Sequence, residues 1–161
     1  MPRSRFSAVG TVGLHPRRGP FTVPVMLRAL SIRQPWAWAI AAGLKRVENR
    51  SWRVSYRGPL AIHAARVVET KAYARCAQLA GRPVPPHLAT GAVIAVAQLA
   101  DIVTARELRG DPWAEGVWWC WVLDDVVPIC PVQCPGHQLL FTLPDDVEQA
   151  VLHSTRKCTP A

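Results

Sequence analysis

Residues 43–52 read GLKRVENRSW, a polar stretch that lies between two apolar segments of the chain. No proline interrupts it, and its only glycine is its first residue, so it suits an extended strand from Arg46 to Arg53. Side chains of a strand alternate between its two faces. One face then carries Arg46, Glu48, Arg50 and Trp52, and the other carries Val47, Asn49, Ser51 and Arg53. Since neither face is an ordinary core face, we predict that this strand lines a cleft. The alternative is an exposed edge strand kept soluble by its charges.

The segments around this stretch alternate between short strands and short helices. Apolar and β-branched runs predict strands over residues 27–32, 60–64, 91–103, 117–127 and 138–143. Prolines and glycines at their ends predict helices over residues 36–42, 68–79 and 144–152. Thr104 and Glu107 have the spacing of a capping box, which predicts one more short helix. Short strands with inserted short helices predict an α+β fold built as a small mixed β-barrel.

The positive charge is concentrated in the first half of the chain, although the formal net charge of the 161 residues is only +8. Residues 1–25 carry four arginines and no acid, and residues 26–75 carry ten Lys or Arg against two acids, whereas residues 76–161 carry five against nine. Such one-sided charge suits a polyanionic partner, because neutralised phosphates release counterions. A basic surface that serves only solubility would have the same composition. Because residues 1–25 lack apolar periodicity, we predict a mobile basic N-terminal arm there, with an over-long start of the sequence as the alternative, and one domain over residues 26–161.

The five cysteines, at positions 76, 120, 130, 134 and 158, are odd in number, and no apolar leader precedes them. We therefore predict the reduced thiols of a cytoplasmic protein. No run approaches the roughly 20 apolar residues of a membrane helix, so no membrane contact is expected.

Cys130, Cys134 and His137 suggest a zinc site, with Cys120 or Cys158 as a fourth ligand. Their spacing is irregular and a proline follows both Cys130 and Cys134, so we predict neither metal nor cofactor.

Five segments in order carry a resemblance to a known family. Residues 30–37 read LSIRQPWA, the stretch already quoted has the pattern Gly43-x-Lys45-x-x-Glu48-x-Arg50, and residues 57–64 read RGPLAIHA. Together they resemble the opening of ASCH (activating signal cointegrator homology) domains, and GAVIAVAQL at 91–99 and GHQLLFTL at 136–143 are similar to the central and closing strands of that family. The resemblance covers about residues 27–143. It implies a PUA-like β-barrel whose cleft binds RNA or a nucleotide, and we expect a monomer.

The residue chemistry of the motif agrees with this expectation. Lys45 can place a point charge on a phosphate, Arg50 offers a planar fork to a phosphate or a base edge, and Glu48 shares a strand face with Arg50. The alternative is an ion-pair network that only holds the mouth of the barrel together. Further predicted contacts to nucleic acid come from charged or aromatic residues near the motif: Arg33, Trp36, Trp52, Arg53, Arg57 and His63. Large aromatics and a histidine in an apolar strand are also common core residues. Trp113, Trp118, Trp119 and Trp121 are interpreted as packing, and the alternative is that one of them lies in the cleft.

Two other functions are weighed against simple binding. Some ASCH relatives are described as ribonucleases or as amidohydrolases of acetylated cytidine, and the second mode resembles a Lys, Thr and carboxylate arrangement in which Glu48 here replaces the threonine. A nuclease would use Glu48 to accept a 2′-hydroxyl proton and Lys45 to stabilise the charged phosphorane, so these two residues are the catalytic candidates if the chain is an enzyme. The third possibility is an adaptor that binds protein.

Overall fold

The computed structural model describes residues 26–116 and 119–157. Within them the chain forms six strands and three helices. In chain order these are β1 (Arg28–Gln34), α1 (Trp36–Ala41), β2 (Val47–Arg50), β3 (Gly58–Val68), α2 (Tyr73–Ala80), β4 (Ala92–Thr104), β5 (Trp119–Gln133), β6 (Leu140–Thr142) and α3 (Asp145–Lys157). A 3-10 turn, Thr70–Ala72, leads into α2. This is the predicted order of strands and helices, apart from the helix predicted after Thr104.

All six strands belong to one mixed sheet in the order β2-β5-β4-β3-β1-β6. Strands β1 and β3 are parallel, and every other neighbouring pair is antiparallel. The predicted α+β class is therefore confirmed. Among the described residues no strand pairing joins β2 to β6, so main-chain hydrogen bonds do not close the sheet into a barrel.

The sheet buries side chains on both of its faces because successive residues of a strand point in opposite directions. In β1, Leu30 packs in a cluster that includes Ile40 of α1 and Trp121 of β5. The adjacent Ala29 packs in a second cluster with Val151 of α3. Helices thus cover both faces of the central strands, and this rigid core leaves the polar residues near the ends of β1 and β2 to form a site.

The predicted helix ends are confirmed where a glycine stops the helix. Gly43 follows α1 with φ of +73° and Gly81 follows α2 with φ of +65°, a conformation that favours glycine. Helix α1 begins at Trp36, one residue after Pro35. The predicted capping contact also forms, since Glu107 accepts hydrogen bonds from the Thr104 main-chain N–H and hydroxyl at 2.8 and 2.7 Å. The helix predicted after it is wrong, because residues 105–110 form turns.

The strand predicted over Arg46 to Arg53 is wrong in length and in one of its faces. Strand β2 ends at Arg50, and it is the edge strand of the sheet. Its Val47 is 2% exposed and packs with Trp113 and Cys120, so this face does contribute to the core. Backbone pairing with β5 and this apolar contact fix the strand, while the chain beyond Arg50 leaves the sheet.

The cysteines differ from one another in chemical state. Cys76, Cys120 and Cys134 are free and buried, and burial raises the pKa of each thiol, which makes them poor nucleophiles. Cys130 is disulfide-bonded, so the prediction of reduced thiols is wrong at that position. The predicted arm over residues 1–25 lies outside the described residues. None of the described helices is long and apolar enough to span a membrane.

Candidate functional site

Three neighbouring cavities lie along the ends of β1, β2 and β3, with volumes of about 190, 560 and 450 Å³. The first and second share four wall residues, and the second and third share another four. The shared residues are Trp36, Glu48, Asn49 and Glu69 at the first junction, and Ser31, Ala65, His137 and Gln138 at the second. We call this continuous depression the groove.

An ion-pair network forms the wall of the groove at the polar motif. Lys45 Nζ contacts both Glu48 Oε2 and the main-chain oxygen of Val47, and Glu48 Oε1 lies 3.1 Å from Arg50 Nη2. Lys45 is 3% exposed and Glu48 is 7% exposed. Lys45 Nζ thus has two acceptors, and its charge compensates that of Glu48. The Arg50 side chain, 22% exposed, keeps more contact with solvent. The ion-pair network weighed in the sequence analysis is therefore present.

Arg50 also links two strands that are distant in the sheet. Its Nη2 donates to the main-chain oxygen of Ser31 in β1 at 2.8 Å. Its Nε is buried and has no hydrogen-bond partner among the described residues. A buried donor without a partner costs roughly 1–3 kcal/mol.

Trp36 stands where the first two cavities meet. Its indole N–H donates to Glu69 Oε2 at 3.2 Å, and its ring meets that of Trp113 edge-on at a centroid distance of 6.3 Å. The position of Trp113 is set by Asn49 of β2, whose amide donates to the Trp113 main-chain oxygen at 2.8 Å. The first cavity therefore has two indole rings in its wall, and the motif strand itself positions one of them.

Trp52 lies in the wall of the second cavity but is also part of the packing. Its ring contacts Trp121 edge-on at 4.8 Å, and its main-chain oxygen accepts a hydrogen bond from the Trp121 indole at 3.2 Å. Trp121 itself is fully buried, as the packing interpretation predicted. Trp52 thus connects the groove to the core, while Trp118 lies outside the described residues.

His63 is 1% exposed and lines the third cavity. Its Nδ1 lies 3.0 Å from Ser31 Oγ, and its Nε2 lies 3.0 Å from the Cys134 main-chain oxygen. Burial lowers the pKa of His63, and the positive charge of Arg66 and the nearby His137 act in the same direction, against the bond to Cys134. The imidazole is therefore held in its neutral form around neutral pH.

The remaining predicted contact residues separate into two groups. Arg33 is exposed and lines the second cavity. Arg53 instead stacks over Trp119 at 4.5 Å, and Arg57 pairs with Asp101 at 3.1 Å. Neither Arg53 nor Arg57 lines any of the three cavities.

Several groove residues were missed by the sequence analysis: Ser31, Asn49, Glu69, Glu115 and His137. Trp113, one of the four tryptophans for which packing or the cleft was predicted, lines the first cavity. Ser31 and His137 lie within segments that resemble the family, so they could have been chosen there. Glu69, Trp113 and Glu115 lie in loops or turns whose approach to the motif has no local pattern. No group of three or more His, Cys, Asp or Glu residues in the described parts of the chain is arranged to hold a metal ion.

The fold and this site define the class of the protein. The family model described as the ASCH domain matches residues 30–129, and the chain belongs to this family. Human activating signal cointegrator 1 is 34% identical over 89 residues, which are 50% of this chain and 15% of that protein. The chain thus corresponds to a small part of that relative.

Solved structures show the same fold. The crystal structure of ASCH from Zymomonas mobilis is similar with a TM-score of 0.54 and 21% identity, covering 80% of this chain and 94% of that one. A single-residue mutant of the same protein gives the same TM-score and identity, with 98% of its chain covered.

Proposed function

We propose that the groove binds single-stranded RNA or a nucleotide. The observation that carries this proposal is the continuity of the three cavities, which form one groove with Arg33 and Arg50 beside the indole of Trp36. Guanidinium groups suit phosphates, and aromatic faces suit bases, so their juxtaposition is typical of a surface for single strands. The basic character of residues 26–75 favours the same class of partner.

The charges along the groove favour one orientation of the ligand. The first cavity sets Lys45 against three carboxylates, Glu48, Glu69 and Glu115, whereas the third cavity contains Arg66 and no acid. Phosphates are repelled by carboxylates, and the amino groups of bases are attracted to them. A base therefore belongs between Trp36 and the acids, and the phosphates belong toward Arg33, Arg50 and Arg66.

Binding of a labelled single-stranded RNA, followed by fluorescence anisotropy, tests this proposal with matched variants. Arg33→Ala should weaken binding about tenfold, in line with roughly 1–3 kcal/mol for a base contact or a lost phosphate contact. Arg109→Ala is the control because Arg109 is exposed and lies outside the groove. Equal losses in the two variants would leave only a general basic surface.

The two tryptophans of α1 offer a second matched pair. Trp36 lies in the groove, whereas Trp38 lines a separate apolar depression. Trp36→Leu should weaken RNA binding about tenfold, since stacking of one base contributes roughly 1–3 kcal/mol. Trp38→Leu should leave the affinity unchanged, and a reversed result would contradict the orientation given above.

A nuclease is the second candidate, because Glu48 lies in the wall shared by two cavities and is paired with Lys45. As a general base it would take the 2′-hydroxyl proton. Its two oxygens are both engaged by cations, which favours binding over catalysis. Incubation of labelled RNA with the wild type and with Glu48→Gln separates the two: a nuclease loses cleavage and keeps binding, while a binder has no cleavage to lose.

A further inference from the structure

Ser31, His63 and the Cys134 carbonyl form a chain of hydrogen bonds beside the groove. A carbonyl oxygen only accepts, so His63 Nε2, 3.0 Å from Cys134 O, carries the ring hydrogen. In the neutral ring His63 Nδ1 then keeps its lone pair, and the Ser31 hydroxyl, 3.0 Å away, donates to it. A serine that donates to a neutral imidazole whose second nitrogen is held in place has the arrangement of an activated nucleophile.

Arg50 supplies a cation next to the same serine. Its Nη2 donates to the Ser31 main-chain oxygen at 2.8 Å, which holds the guanidinium beside this residue. Its buried Nε has no partner among the described residues, and Arg50 and Ser31 both line the second cavity. Because the guanidinium is held beside Ser31, its positive charge can stabilise an oxygen that gains negative charge in the same cavity during a reaction.

The backbone of Gly136 packs directly against the side chains of Ser31 and His63. A Cβ at this position would lie 2.5 Å from His63 Cε1 and 2.6 Å from Ser31 Oγ, which is closer than atoms approach without a shift. The segment that contains Cys134 and Gly136 therefore fixes the distance between Ser31 and His63. It does so because the Cys134 carbonyl accepts a hydrogen bond from the ring and Gly136 packs against the ring. A fixed nucleophile and base is what catalysis by such a pair requires.

We propose that Ser31 is a nucleophile that hydrolyses carboxylic esters, with His63 as its general base, the Cys134 carbonyl as the group that orients the imidazole, and Arg50 as the cation that stabilises the oxyanion. This activity goes beyond ligand binding by the groove, and it uses none of the chemistry of the Lys45–Glu48 pair.

The reaction has two steps. Ser31 Oγ attacks the ester carbonyl carbon while its proton passes to His63 Nδ1, and collapse of the intermediate breaks the bond to the alcohol, which leaves with that proton. Water then attacks the acyl-serine, gives a proton to His63 Nδ1 and releases the carboxylic acid, while the proton on His63 returns to Ser31 Oγ. Nothing is oxidised or reduced, and water is the only co-reactant.

A fluorophosphonate probe tests the nucleophile directly, because attack by an activated serine forms an O–P bond and releases fluoride. The wild-type protein should gain one adduct per chain, mapped by peptide mass analysis to Ser31. Ser51→Ala is the matched control, since Ser51 is exposed and next to Arg50, and it should label like the wild type. Ser31→Ala should not label, and His63→Gln should label at least tenfold more slowly. An unlabelled wild type, or equal labelling of other serines, would overturn the proposal.

Two further measurements separate this activity from a structural role and from RNA binding. The wild type should release p-nitrophenol from p-nitrophenyl acetate with a rate that rises with pH and levels off near neutrality, because the neutral form of His63 is the base and its pKa is lowered. His137 and Arg66 are the charged groups that face His63, whereas the exposed His153 lies outside the groove. The pH profile should be unchanged in His153→Gln and lost in His63→Gln, which assigns the titration to His63. RNA binding by a wild type that forms no adduct would overturn the esterase and leave the binding proposal intact, and adduct formation without RNA binding would do the reverse.

Discussion

Arg50 in β2 donates a hydrogen bond to the main-chain oxygen of Ser31 in β1 at 2.8 Å, although three strands separate β2 from β1 in the sheet. The sheet therefore curls until its edge strand approaches β1. The Arg50 guanidinium bridges β2 and β1, which no main-chain pairing among the described residues joins. Glu48 Oε1 lies 3.1 Å from the same Nη2, so one side chain links the curvature of the sheet to the wall of the groove.

We expect Arg50→Ala to lower the free energy of unfolding by about 1–3 kcal/mol, since it leaves Glu48 and the Ser31 carbonyl with unmet hydrogen-bonding capacity. The lower part of this range applies because the Arg50 side chain is 22% exposed and water can replace part of the loss. Urea unfolding at neutral pH measures the change. Arg109→Ala should remain within about 0.5 kcal/mol of the wild type, and a comparable loss there would show that Arg50 has no special structural role.

Lys45 and Glu48 should prove strongly coupled. Lys45→Met should destabilise the protein by about 3–5 kcal/mol, because it removes the closest cation from a carboxylate that is 7% exposed. The double variant Lys45→Met with Glu48→Gln should lose less than the sum of the two single variants, since no buried negative charge remains. A thermodynamic cycle from four urea unfolding curves gives the coupling energy, and strict additivity would contradict the network.

Stability should depend on pH through His63. Its pKa in the folded state is lowered mainly by burial, so the unfolded chain binds a proton more readily. The folded state is therefore destabilised as pH falls through the ordinary histidine pKa of about 6.5 and toward the lower folded value. Urea unfolding between pH 7.5 and 5 should show this loss in the wild type and a shallower one in His63→Gln. Parallel curves for the two proteins would contradict the lowered pKa.

The salt dependence of RNA binding should identify the cations that meet phosphate. Lys45 is neutralised by Glu48, whereas Arg33 is exposed in the groove without an ion-pair partner among the described residues. Arg33→Ala should therefore reduce the slope of log affinity against log salt by about 0.7, the value for one phosphate contact on a single strand. Lys45→Met should leave the slope unchanged in protein that is still folded. A reduced slope for Lys45→Met alone would mean that its ammonium reaches the ligand.

The sequence predicted most of the fold because the strands and helices have local patterns. The β-branched run of β4 and the glycines after α1 and α2 each determine their elements through neighbours in the chain. The end of β2 was predicted three residues too late. Its pairing with β5 ends at Arg50 and Trp119, and residues 51–53 contain no proline or glycine that would indicate this end. The face of Val47 was misjudged for the same reason: its apolar neighbours Trp113 and Cys120 are distant in sequence.

The candidate site was predictable only where its residues share one strand. Glu48 and Arg50 lie on the same face of β2 because they are two residues apart in a strand. Lys45, three residues before Glu48 in the sequence, is close enough to pair with it. The approach of Trp113, by contrast, depends on a hydrogen bond from the Asn49 amide to a loop 64 residues further along the chain. Arg53 and Arg57 carry the same charge as Arg50, but partners from distant parts of the chain hold them outside the groove.

Gly136→Ala should push Ser31 and His63 apart through steric overlap. A second glycine, at which alanine adds only backbone strain, separates this effect from the general cost of replacing a glycine. The new Cβ would overlap His63 Cε1 at 2.5 Å and Ser31 Oγ at 2.6 Å, and His63 is 1% exposed, so the ring or the chain around Cys134 must shift. Such overpacking costs about 1–3 kcal/mol. Gly110→Ala is the control, since nothing lies within 4 Å of its Cβ and its cost arises only from a φ of +91°.

NMR titration of the His63 ring measures the separation of the pair. The pKa of His63 should rise toward the ordinary histidine value in Gly136→Ala, because displacement of the ring admits water. It should remain at the wild-type value in Gly110→Ala. An unchanged His63 titration in both variants would mean that Gly136 does not fix the pair.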